Sequence, residues 1–196
     1  MYKYLIIPAI AILMFGCNSF SSHKSIADSI HAVDTPLKVI PTAKMIVPGK
    51  RIGDICINED VDSVINKLGK PDSSDAAMGA SYMVWFDKTG KIVRQTDVFS
   101  HRNMDGTDEK ISHVKVIRET GPSFKTADYG GAGSAIKDVM KLYKLQKHKA
   151  LYDKKLWLYD NYQTGIGFEV DSTGKCLAVY VHAPGDSSAT NLNIHQ

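Results

Sequence analysis

Val61, Val64, Ile65 and Leu68 fall at i, i+3, i+4 and i+7, the spacing of one apolar helical face. Ile136, Val139, Met140 and Tyr143 repeat that kind of face about 75 positions later. Asn58 precedes the first face as an N-cap, with Glu59 and Asp60 in the first turn, where carboxylates suit the helix dipole. Gly69 and Pro71 supply its stop. The second face follows a glycine-rich break, Gly130-Gly131-Ala132-Gly133, with Ser134 as its cap. A short helix with a single apolar face cannot bury that face alone, so each needs a sheet to pack on.

Strand patterns follow both helices. Residues 81–87 (SYMVWFD) and 92–99 flank a turn at Lys88-Thr89-Gly90, and a polar loop leads to residues 111–118. After the second helix come residues 156–160, 164–170 and 176–182. Phe86-Asp87 and Tyr159-Asp160 each stand before a turn, as the same point of the two copies. This order predicts an α+β protein of two tandem helix-plus-three-stranded antiparallel sheet units, residues 48–121 and 122–184, with adjoining sheets. Residues 185–196 read as a disordered tail.

The segment Ile57-Asn58-Glu59-Asp60-Val61, continued by Leu68-Gly69-Lys70-Pro71-Asp72 and an aromatic strand, resembles the repeat of BamE/SmpA-like outer-membrane lipoproteins and of the β-lactamase-inhibitor-protein fold. The resemblance spans about residues 50–183. The second copy departs from it, with Tyr143-Lys144-Leu145 where the Gly-x-Pro stop would stand. What the resemblance implies is a β-lactamase-inhibitor-like tandem that binds protein, with no cofactor and no reaction.

The N-terminus carries a different signal. Lys3 precedes an apolar run at residues 5–15 (LIIPAIAILMF), shorter than the roughly twenty residues that span a bilayer. A positive start, a short apolar run and a small residue make a cleavable export signal. Gly16-Cys17 at its end resembles the lipobox of bacterial lipoproteins, which implies a signal peptide at residues 1–16 and lipid on Cys17. An ordinary secretory signal with an incidental cysteine is the plainer alternative. Residues 17–47 read as a lipidated N-terminus and flexible tether, with a typical span of about 30 Å. Asn18-Ser19 lacks the aspartate of inner-membrane retention, so an outer-membrane position facing the periplasm is favoured.

Of the three cysteines, Cys56 and Cys176 remain if Cys17 is acylated. In an oxidising compartment they could form a disulfide joining the ends of the folded region, or stand as two small buried residues. The histidines are scattered without H-x-x-x-H or H-E-x-x-H spacing, and no Cys-x-x-Cys occurs, so no metal site is expected. No nucleophile elbow is present. Asn103, Asp105, Asp108 and Glu109 share one loop but lack the closing acid of a calcium loop. A net charge of +3 is too slight to argue for nucleic acid.

Two features suit binding. Lys137, Lys141 and Lys144 share one side of the second helix, with Lys147 and Lys149 just beyond, a solvated face or a contact for anionic lipid or acidic protein. Strand alternation sets Tyr82 and Phe86 on one face, and Trp157 and Tyr159 on one face of the counterpart, with Tyr180 able to join them. Those five aromatics are the expected partner surface, with a buried core as the alternative. The expected role is a membrane-anchored, non-catalytic protein-binding module in envelope assembly or maintenance, without a cofactor. An inhibitor of a secreted hydrolase is the alternative, and a small-ligand carrier or enzyme stands behind both.

Overall fold

Asp60, rather than Asn58, caps the first helix. Its carboxylate accepts the Asp62 N–H at 3.0 Å, while Asn58 turns left-handed (φ 66°) and donates its own N–H to the Val114 carbonyl at 2.8 Å. Helix α1 (Val61–Leu68) ends where the sequence predicts, at Gly69 with φ 82°, a backbone state costly for any residue with a Cβ. Helix α2 (Ile136–Tyr143) starts after Ala135 with no side-chain cap. Ser134 instead accepts the Gly131 N–H at 3.2 Å, inside the glycine-rich turn.

The computed structural model describes residues 39–103, 108–148 and 155–186, with the backbone alone at 149–151. The expected signal peptide, Cys17, the first part of the tether and residues 187–196 of the tail lie outside the described residues.

Order begins earlier than the tether boundary at residue 47. A 3-10 turn at Thr42–Lys44 leads into a small antiparallel sheet of β1 (Ile46–Val47), β2 (Arg51–Ile52) and β3 (Ile55–Cys56). Ile46 is buried, and its N–H donates to the Lys125 carbonyl at 2.8 Å. The end of the supposed tether is therefore part of the fold.

The main sheet comprises β4 (Ser73–Ala77), β5 (Ala80–Asp87), β6 (Arg94–Arg102), β7 (Ser112–Glu119), β8 (Gln146–Leu151), β9 (Leu156–Asn161), β10 (Ile166–Asp171) and β11 (Cys176–His182). Their order is β4-β5-β6-β7-β11-β10-β9-β8, antiparallel throughout. Hydrogen bonding runs unbroken across the middle, with Tyr180 opposite Arg118 and Val181 opposite Ile117.

This overturns the expected α+β tandem of helix-plus-three-stranded units in the β-lactamase-inhibitor-like form. The described residues are mostly β, 46% strand against 14% helix. One eight-stranded sheet and a separate three-stranded sheet replace the two units, with two helices among the described residues. The physical reason is that strand pairing at β7–β11 satisfies backbone groups that two separate sheets would have left as open edges. Helices of eight residues each are attachments to that sheet rather than equal partners in it.

The helices share one face of the sheet. Val61, Val64 and Val139 meet Trp85, Val98, Ile117, Phe168, Val179 and Val181 in one buried cluster. Each such side chain contributes roughly 1.5–3 kcal/mol when fully removed from water. The opposite face carries a smaller cluster of Val116, Leu158 and Tyr180, with Tyr82 and Phe99 packed against it. Strand alternation therefore divides the five expected partner-surface aromatics. Tyr82, Phe86 and Tyr180 belong to the second face, whereas Tyr159, opposite Phe168, packs on the helix-side cluster and Trp157 shares its side. Leu158 holds the place expected for the Trp157–Tyr159 pair.

Candidate functional site

The β5 strand ends beside the C-terminus of α1, and a cleft of about 340 Å³ opens there. Two hydrogen bonds set its walls. Trp85 Nε1 donates to the Gly69 carbonyl at 2.9 Å, tying the strand to the helix stop. Asp72 Oδ2 accepts the Phe86 N–H at 2.8 Å, fixing the chain just before β4 against the end of β5. Leu68, Trp85, Phe86 and Phe124 supply the apolar lining. Leu68 and Phe86 are 41% and 38% exposed, so this part of the lining faces solvent.

The charged groups around it are of both signs. Arg94 pairs with Asp87 Oδ2, while Asp87 Oδ1 accepts from the Thr89 hydroxyl at 2.6 Å and its N–H at 2.9 Å. Those Thr89 hydrogen bonds hold the Asp87 carboxyl below its ordinary value. The Lys44 ammonium lies 4.1 Å from the centre of the Phe124 ring. Glu119 is buried in the cleft wall, accepting from Thr96 Oγ1 at 2.7 Å and from the Gly121 N–H at 2.5 Å. Burial pushes the Glu119 carboxyl up, and those two bonds offset only part of the effect. Such a site can seat an apolar or aromatic side chain and hydrogen-bond a polar or charged group beside it.

A second constellation lies across the middle of the sheet. Arg118 donates to Glu169 through Nε at 3.1 Å and Nη2 at 2.6 Å, and to Asp97 through Nη1 at 2.7 Å. Gln95 completes Asp97 at 2.7 Å, and the Tyr180 hydroxyl donates to Glu169. Burial, together with the Glu169 charge, holds the Tyr180 phenol well above its ordinary value. Tyr180 is thus a buried member of this polar network, not an exposed partner contact. No family model, curated protein or solved structure matches the chain.

Other sequence candidates resolve locally. Cys56 and Cys176 are both free thiols, so the disulfide left open between them is not formed. Cys56 ends β3 of the small sheet, while Cys176 is buried at the start of β11, where its thiol is pushed up to about 12 by burial. Asp108 of the acidic loop bonds His113 Nε2 at 2.7 Å and accepts from Asn103. The amides of Gly130 and Gly131 go to Thr126 and Ser134 side chains within their own turn. Among the described residues, no group of three or more His, Cys, Asp or Glu is placed to hold a metal.

Of the sequence-expected partner residues, Phe86 alone lines the 340 Å³ cleft. Lys44, Asp72, Glu119 and Phe124 come together there from segments separated along the chain, a convergence no local spacing signals. Arg118 and Glu169 did leave a trace, since each interrupts an apolar strand (HVKVIRE and IGFEVD) with a charge.

Proposed function

We propose that this protein is a non-catalytic binding module, held at the cell envelope by lipid on Cys17. In this reading it takes an extended segment of a protein partner along β4 and seats an anchoring side chain in the adjoining cleft. The observation that carries the reading is the contrast between the two edges of the sheet. Edge strands offer unpaired N–H and C=O groups, and proteins commonly blunt them with lysine, proline or a bulge. At the β8 edge stand Lys147 and a register shift between Lys147 and Lys149. The β4 edge, SSDAA, has none of these and all five of its residues are exposed. Its one charge, Asp75, accepts the neighbouring Ala76 N–H at 2.8 Å.

Strand addition gives affinity through the main chain and specificity through side-chain pockets. Asp72 belongs to the cleft lining and immediately precedes β4, so edge and pocket are continuous. An opposite charge across from Asp75 favours a partner strand that carries lysine or arginine.

The test is site-specific photo-crosslinking in intact cells, with the crosslinking residue at Ser74 or Ala76 and a control at exposed Ser172. A discrete protein adduct from β4, weakened by Phe86→Ser and absent from position 172, is the expected result. Equal adducts from all three positions would remove the β4 edge as a docking site.

A further inference from the structure

Helix α2 packs on the sheet through Ile136, Val139 and Tyr143. The adjoining stripe of the same helix, turned about 100° from the packed face, is Lys137, Met140, Lys141 and Lys144, successive members of an i, i+3, i+4, i+7 row and all exposed. The sequence pattern assigned Met140 to the buried face, but the structure places it in the middle of the lysine row, 39% exposed.

The row continues into a second cleft, of about 530 Å³, lined by Lys144, Gln146, Lys147 and His148 on one side and by Asp160, Asn161, Tyr162 and Gln163 on the other. Lys144 reaches this position because it adopts the left-handed state (φ 50°) that ends α2. The Lys147 ammonium sits 3.2 Å from the centre of the Trp157 ring, which positions its charge at the cleft. The one carboxylate in the lining, Asp160, is buried and bonded to His182 Nε2 at 3.1 Å. A helix C-terminus favours cations over anions, but here Tyr143 O accepts from Asn161 Nδ2 at 2.8 Å, and Lys141 and Lys144 offset the remainder.

We infer that this face docks on an anionic phospholipid surface, with Lys144, Lys147 and His148 around headgroup phosphates and Met140 and Tyr162 entering the boundary beneath them. Charge complementarity selects the sign of the partner. The whole chain carries only +3, yet Lys137, Lys141, Lys144 and Lys147 follow one another along α2 into the cleft, where Asp138 is the exposed acid of the helix. The exposed apolar side chains select lipid over an acidic protein, because a basic surface with protruding apolar groups gains from both the surface potential and the acyl boundary. Tyr162, half exposed on the cleft wall, has the apolar body and polar tip that suit the same interface. The inference is independent of the β4 edge. It rests on the envelope reading only for a membrane being within reach of the tether.

The test uses the chain from residue 17 onward with Cys17→Ser, so that no acyl chain contributes. It is sedimented with vesicles of phosphatidylcholine alone and with added phosphatidylglycerol. Binding to the anionic vesicles that weakens with salt is expected. Lys144→Gln with Lys147→Gln should lower it about thirtyfold, on the basis of a roughly fivefold effect for each surface lysine. Met140→Ser with Tyr162→Ser should lower it severalfold at constant charge. Lys137→Gln with Lys141→Gln, on the solvent side of α2, serves as a second charge variant should the first misfold. Equal sedimentation with neutral and anionic vesicles, or binding unchanged in folded variants, would overturn the inference. So would poly-glutamate binding as tight as the anionic vesicles with no response to Met140→Ser and Tyr162→Ser, an outcome that assigns the face to acidic protein. Loss of the crosslink from β4 leaves every one of these readouts unaltered.

Discussion

The guanidinium of Arg118 meets the carboxylate of Glu169 in two parallel hydrogen bonds, 3.1 and 2.6 Å long, reaching over β11 from β7 to β10. One residue belongs to the first half of the sheet and the other to the second, so the pair joins the halves at their seam. Asp97 takes the remaining arm of the guanidinium at 2.7 Å. Removing one partner of a buried pair leaves the other charge without compensation, which costs far more than the pair contributes net. Arg118→Met should lower stability by about 3–5 kcal/mol. Urea unfolding measures it, as a fall in midpoint with little change in slope. Arg118→Lys keeps the charge but not the fork, and a smaller loss is expected. A loss under about 1 kcal/mol for the Met variant would mean that water or another group replaces the guanidinium.

His182 gives a pH-dependent contribution with a definite sign. Burial alone would lower its pKa, but the hydrogen bond and charge of Asp160, with the Ala183 carbonyl, outweigh burial and hold it above the ordinary 6.5. The folded protein then binds more protons than the unfolded chain between 6.5 and the folded value. The stabilisation is complete below that window and is lost as pH rises through it. Thermal unfolding of the parent chain and of His182→Gln from mildly acidic to mildly alkaline pH should show a falling midpoint only in the parent. Glu119 is also raised, but from 4.5, and it is common to both proteins. Parallel profiles for parent and variant would show that His182 is not the titrating group.

The amphipathic row from Val61 to Leu68 and its Gly69 stop were legible, because helix faces and stops are local chemistry. So were the aromatic β5 and apolar β11. Strand β4 was not, since SSDAA has neither β-branched residues nor alternation and forms through pairing with β5 across the left-handed turn at Met78 and Gly79. Strand β8 was hidden as well: QKHKAL is rich in charge and follows α2 after two residues, with no glycine or proline to mark the break. With an outer strand missing from each half, the pattern resembled two small units. The seam that makes them one sheet depends on pairing between residues about 60 apart, such as Arg118 and Tyr180, which periodicity does not report. The 340 Å³ cleft was illegible for the same reason, apart from Phe86.

The attachment proposed at Cys17 makes a separate prediction. Cys17→Ser should abolish incorporation of labelled palmitate and move the protein from the membrane pellet to the soluble fraction, because two or three acyl chains are what hold a lipoprotein firmly. At low salt the lysine face of α2 can keep part of it on anionic membranes, so the fractionation belongs at high salt, where surface attraction is screened. Unchanged palmitate labelling in the variant would refute acylation at this cysteine.

The two thiols of the folded region should differ in reactivity. Only the thiolate is nucleophilic, and Cys176, buried at the start of β11 with its thiol at about 12, has almost none at neutral pH. Cys56 is half-buried in the small sheet, within reach of reagent from one side. Brief treatment with a maleimide at neutral pH, followed by peptide mapping, should label Cys56 and spare Cys176; after unfolding in urea both should react. If neither reacts natively and both appear only after reduction, a disulfide is present and the free-thiol state of Cys56 and Cys176 is overturned. If Cys176 reacts as fast as Cys56 in the folded protein, the strand that buries it opens on the timescale of labelling, and the start of β11 is less firmly held than its pairing with β10 indicates.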